Sequence, residues 1–150
     1  MKALYYSLIY SHLTYGSLLW GNSTSTKEFK AINLLHKKAI RLVVNSEYNS
    51  PTDPICREHR LLNTSNIVEA ETSKFMYSFF HNLLPKPLNS IFTKGVDVHN
   101  YETRYRENPQ SVKRKYAQLD HSFMAKGPNV WQNIPNDIKN LRISKVSPKR

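Results

Sequence analysis

Leu4-Tyr5-Tyr6-Ser7-Leu8-Ile9-Tyr10-Ser11-His12-Leu13-Thr14-Tyr15-Gly16-Ser17-Leu18-Leu19-Trp20-Gly21 is an uncharged stretch near the start of a 150-residue chain. A membrane-spanning helix needs ~20 predominantly apolar residues. Here Ser7, Ser11, His12, Thr14, Gly16 and four tyrosines interrupt the apolar positions before that length is reached. The stretch therefore predicts a helix buried on most sides within a packed protein, with no membrane as partner.

The next segment is amphipathic. Ser25 and Glu28 have the spacing of a capping box, in which the serine hydroxyl and the glutamate side chain satisfy each other's backbone amides, so a second helix is expected to begin there. At roughly 100° per residue, Phe29, Ile32, Leu35, Ala39, Ile40, Leu42 and Val43 share one broad face, and Lys27, Lys30, Lys37, Lys38 and Arg41 gather on the other. Leu34 is the one apolar residue inside the basic stripe. The apolar face is expected to pack on the first helix, leaving the cations to water or to phosphate.

After Val44, the run from Asn45 to Pro54 is rich in turn formers and reads as a boundary. A third helix is expected to start near Asn66, where Asn66 and Glu69 repeat the cap spacing, and to end before Pro85. Its stripe of Val68, Thr72, Phe75, Met76, Phe79, Phe80 and Leu83 reads as core. Strand alternation is sustained nowhere, so the fold class is mainly α: a small thumb-like helical bundle followed by a helix-plus-irregular-loop region. The expected organisation is a helical segment over 1–45, a linker and third helix over 46–92, a basic loop and a Trp-containing docking segment over 93–140, and a disordered tail over 141–150.

Four blocks, in order, resemble the region after the palm of non-LTR, LINE-type (jockey-like) retrotransposon reverse transcriptases. The opening stretch through Tyr15-Gly16 and Trp20-Gly21 is similar to the start of that family's thumb, and Leu34-Leu35-His36-Lys37-Lys38-Ala39-Ile40-Arg41 to its second thumb helix, with His36-Lys37-Lys38 where the family has Gln-Lys-Arg. His99-Asn100-Tyr101-Glu102-Thr103-Arg104 and Lys126-Gly127-Pro128-Asn129-Val130-Trp131-Gln132-Asn133-Ile134-Pro135 are similar to two later blocks. The resemblance implies a fragment of an RNA-directed DNA polymerase that contacts an RNA template and RNA–DNA hybrid without regard to sequence, beside a palm domain supplied by a longer parent chain.

The chemistry of that polymerase is not expected from this chain alone. Two-metal nucleotidyl transfer needs clustered carboxylates, whereas Asp53, Asp97, Asp120 and Asp137 are scattered, and Gly16, Gly21, Gly95 and Gly127 form no phosphate-cradling loop. The six histidines show no metal-ligand spacing with Cys56, and the adjacent pair Asp120-His121 does not converge on a helix. No catalytic residue, metal or cofactor is expected. The single cysteine excludes an internal disulfide, and the first residues lack a secretory pattern, so an intracellular location, nucleus or cytoplasm, is expected.

Charge gives the clue to partners. Residues 1–45 carry six Lys/Arg against one acid, residues 46–92 four against five, and residues 93–150 twelve against five, for a net +11. Two basic ends around a neutral middle suit a polyanion, although a solvated surface is the competing reading. In the second basic region Tyr101, Tyr105 and Tyr116 alternate with Arg104, Arg106, Lys113, Arg114 and Lys115, the composition of a platform for single strands or of an ordinary charged loop. Trp131, with Phe123, Val130, Ile134 and Ile138, reads as a core anchor on a short helix between turns at Gly127-Pro128 and Pro135. Beyond Asn140 the resemblance fails, and the chain reads as cut short or decayed. Two alternatives stand beside the thumb fragment: a stand-alone basic helical module that binds nucleic acid or protein, and a non-functional retroelement remnant.

Overall fold

The computed structural model describes residues 2–21, 27–93, 101, 109 and 122–139, and among them the protein is mainly helical with no strand. The first helical run passes without a break from α1 (Lys2–Leu4) through a π-helical segment (Tyr5–Tyr10) to α2 (Ser11–Thr14). A π turn closes i to i+5 and holds an extra residue. This brings Leu13 round toward the side that buries Tyr5, and these two are the buried residues of the run. The rest departs from the sequence expectation: Leu4, Tyr6 and Leu8 face outward, so the run is buried on one side and not on most.

The Tyr-Gly-x-x-x-Trp-Gly stretch is a compact corner. Gly16 takes a left-handed conformation (φ 65°), which a residue with a Cβ adopts only at a cost, and turns the chain into α3 (Ser17–Trp20). Trp20 Nε1 then donates to the Tyr15 carbonyl at 3.1 Å. Gly21 lies so close to Val68 and the Ser17 carbonyl that a Cβ would overlap both.

α4 (Lys27–Val44), α5 (Thr52–His59) and α6 (Thr64–Phe80) form the body. The position of Ser25 lies outside the described residues. All three helices end alike. Asn45, Arg60 and Asn82 are left-handed. The amides of Ser46, Leu61 and Leu83 return to the carbonyls of Arg41, Cys56 and Ser78 in 6→1 bonds. α5 departs from the linker that the turn formers over 45–54 predict. Those residues make one tight reversal, and Pro51 and Pro54 sit at the helix start, where a missing amide is tolerated. α6 begins two residues before the expected Asn66, capped by Asn63, whose side chain accepts from the Asn66 amide at 2.8 Å.

Two clusters make the core. Tyr5, Ile40, Cys56 and Leu61 pack where the first run, α4 and α5 meet, while Met76, Phe79, Phe92 and Trp131 pack between α6 and α8 (Phe123–Asn133). The short α7 (Lys86–Asn89) leads to Phe92. α6 supplies Met76 and Phe79 to the second cluster and buries Thr64, Ile67, Val68 and Thr72 toward its start. Of the expected stripe, Leu83 falls past the helix and is exposed. Gly127-Pro128 is no turn: it is buried inside α8, where the absent Cβ of Gly127 lets the helix approach the Met76 sulfur. Pro135 does separate α8 from α9 (Asn136–Lys139), and Trp131 is a core anchor, stacked on Phe80 at 4.6 Å.

Candidate nucleic-acid interface

α4 carries the first set of expected contact residues, and its orientation depends on one buried polar side chain. Phe29, His36 and Ile40 are its buried residues. The helix is thus turned about its axis relative to the expected apolar face: Leu35 (64% exposed) and Leu42 (76%) face solvent. His36 takes the interior place because both of its nitrogens find partners. Its Nδ1 lies 2.9 Å from Thr64 Oγ1, its Nε2 lies 2.8 Å from the Tyr5 hydroxyl, and Thr64 Oγ1 donates to Asn33 Oδ1 at 3.0 Å.

The direction of donation follows from that last bond. With the Thr64 proton spent on Asn33, His36 Nδ1 donates to Thr64 and Nε2 accepts from Tyr5. A neutral imidazole is satisfied at both ends, and a buried polar group so satisfied costs little. Burial pushes the His36 pKa down to about 4. Burial, with smaller contributions from Tyr6, Cys56 and Tyr10, pushes Tyr5 up, so its phenol stays protonated. The chain Tyr5→His36→Thr64→Asn33 ties the first run, α4 and α6 in one register.

That register sets what the cations do. Lys27 and Lys30 are exposed, and Lys37, Lys38 and Arg41 are half-buried. Arg41 is a brace for the α4–α5 reversal, its Nε donating to the Ser50 carbonyl at 2.8 Å and its Nη2 to Thr52 Oγ1 at 3.4 Å. This differs from the sequence expectation of an open phosphate contact, because α5 folds back onto that flank. Lys37 also borders α5, where its charge is felt by the Cys56 thiol. The exposed Lys27 and Lys30 and the half-buried Lys38 remain as the part of the stripe away from α5, beside the exposed Leu34. Among the described residues the ion pair present is Lys74–Glu71 at 2.6 Å, so no described carboxylate neutralises these three.

The second expected set is mostly out of view. Tyr101 is 77% exposed. Tyr105, Arg104, Arg106, Lys113, Arg114 and Lys115 lie outside the described residues.

Cys56 is buried, and burial and Asp53 raise its thiol pKa against the opposing effect of Lys37, the reverse of nucleophile activation. Among the described residues no three His, Cys, Asp or Glu gather to hold a metal ion, and no helix is long and apolar enough to cross a membrane. Sequence reasoning missed Tyr5 and His36: His36 shares a helical face with Phe29 and Ile40, but its burial depends on partners distant in the chain. Comparison of the chain with protein-family models, with curated proteins and with solved structures finds no match.

Proposed function

We propose that this chain is a non-catalytic, nucleic-acid-gripping helical segment of the kind that forms the thumb and following linker of LINE-type reverse transcriptases. The observation that carries the reading is the lysine flank of α4, where the exposed Lys27 and Lys30 and the half-buried Lys38 have no described carboxylate partner. The four ordered sequence blocks supply the ancestry. Such a flank addresses the phosphates of an RNA–DNA hybrid by charge alone and is indifferent to base sequence. The exposed Leu35 and Leu42, with Leu4 and Leu8 of the first run, support a second element of the reading, a palm-like body from a longer chain covering that apolar side.

The test is binding of the purified chain to a labelled RNA–DNA hybrid over a salt series. Three to four lysine–phosphate contacts give a log–log slope on the order of −3, a loss of roughly 50- to 100-fold between 50 and 200 mM salt. Replacing Lys27, Lys30 and Lys38 with glutamate removes the binding and leaves helicity intact, whereas Arg41→Ala weakens the fold first. A chain that ignores the hybrid at low salt, or a triple variant that binds as well as the parent, refutes the reading.

A further inference from the structure

We propose that the groove between the first helical run and α4 receives one amphipathic helix of a partner protein, an acidic one whose carboxylates lie along the edge that meets Lys38; the inference rests on the covering body inferred above and gives it a chemistry. The groove holds about 320 Å³, with Leu8 and the buried Leu13 on one wall and Ile32, Leu35 and Ala39 on the other.

Its α4 wall has the spacing of a helix–helix seam. Ile32, Leu35, Ala39 and Leu42 follow one another at intervals of three, four and three residues, the repeat that packs one helix along another. The protein's own interior leaves that seam unused, because Phe29, His36 and Ile40 take the inward side of α4 while Leu35 and Leu42 face solvent. Leu8 stands exposed on the other wall. The Tyr5–His36 hydrogen bond holds the two walls together beneath the furrow. A third helix laid along it buries one apolar stripe against both walls at once.

Charge at the edges of the seam selects the helix. On the side of the seam away from His36, Lys38 lies one turn from both Leu35 and Leu42, so it borders whatever covers them. On the first run, His12 is the titratable group that lines the groove. Glu28 lies one turn before Ile32, at the far end of the seam. Lys27, Lys30 and Lys38 therefore outnumber Glu28 on the outer side of α4, and a second copy of this chain would set more like charge than opposite charge across the interface. A helix with carboxylates on its flank meets the reverse, since flanking charges set partner choice in helix pairs.

The probes are two synthetic amphipathic helices of about three heptads with the same leucine seam, one flanked by glutamates and the other by lysines. Each is titrated into the full chain and followed by fluorescence anisotropy. The acidic helix binds more tightly, and Lys38→Glu shifts the preference toward the basic one by on the order of two- to fivefold. Leu35→Gln and, separately, Leu42→Gln weaken the acidic helix by roughly tenfold. Both side chains face solvent, so these variants keep their helicity and their binding of the RNA–DNA hybrid. Equal binding of the two helices, binding of neither, or binding that survives both glutamine variants overturns the groove assignment while the hybrid result stands. A dimer of the chain alone in sedimentation equilibrium that Leu42→Gln dissolves makes a second copy the occupant and overturns it as well. Charge-selective binding of the acidic helix by a chain that ignores the hybrid supports the groove and overturns the nucleic-acid reading alone.

Discussion

Acid should loosen this fold through His36 before it protonates the carboxylates. The imidazole is 3% exposed and is held as a neutral donor–acceptor between Thr64 and Tyr5. The groups bonded around it, Tyr5, Thr64 and Asn33, are uncharged, so none of them offsets a proton there. In the unfolded chain the group titrates at its ordinary 6.5, and in the fold at about 4. Between those values the unfolded state binds the extra proton, so stability is full above pH 6.5 and falls as pH drops toward 4. The slope approaches about 1.4 kcal/mol per pH unit and the total is about 3 kcal/mol, a loss of roughly 1–3 M in urea midpoint. Urea unfolding followed by circular dichroism from about pH 7.5 to 4, in the parent and in His36→Gln, isolates the contribution, because glutamine keeps a donor and an acceptor but does not titrate. The difference between the two stabilities should shrink by about 3 kcal/mol as pH falls through that window. Parallel curves would refute the buried neutral imidazole.

Three further outcomes follow from the backbone and its packing. Arg60 holds a left-handed conformation at the end of α5 with both cap bonds made, so Arg60→Gly should raise stability by about 0.5–1 kcal/mol in thermal or urea melts; a loss would mean the arginine side chain matters more than its backbone. Gly21→Ala should cost roughly 1–3 kcal/mol, since a Cβ meets Val68 and an immovable carbonyl, whereas Gly127→Ala should be near neutral because the Met76 thioether can move aside and alanine favours the helix. Equal effects of the two would disprove that distinction. Asn63→Ala should remove the α6 cap and about 1 kcal/mol, and hydrogen exchange should speed first in the opening turn of that helix.

Fold class is legible in the residues because helix period and the stripe of α6 are local properties. Val68, Thr72, Met76 and Phe79 are buried as their spacing requires. The cap of α6 falls three residues before the position its sequence pattern indicates, because Asn63 and Asn66 carry the same side chain and only the backbone conformation tells which is outside the helix. α5 is hidden by its prolines, which mark a break from one side and a helix start from the other. For the interface, Lys27 and Lys30 are exposed as the amphipathic pattern implies, but the engagement of Arg41 depends on α5 and so on an element that the pattern conceals.

By itself, then, the sequence determined the helices, the unequal distribution of charge, and the glycines that the Tyr-Gly and Trp-Gly corner needs. Those come from backbone preference and from the order of apolar and basic residues. Which side of α4 faces inward was decided only in three dimensions. A histidine counts as polar in any pattern, yet Tyr5 and Thr64, brought in from 31 residues before it and 28 after it, satisfy both nitrogens and make it interior. The same is true of the groove beside α4, whose walls come from Leu8 and Leu13 on one side and Ile32, Leu35 and Ala39 on the other. Its volume exists only where those helices meet.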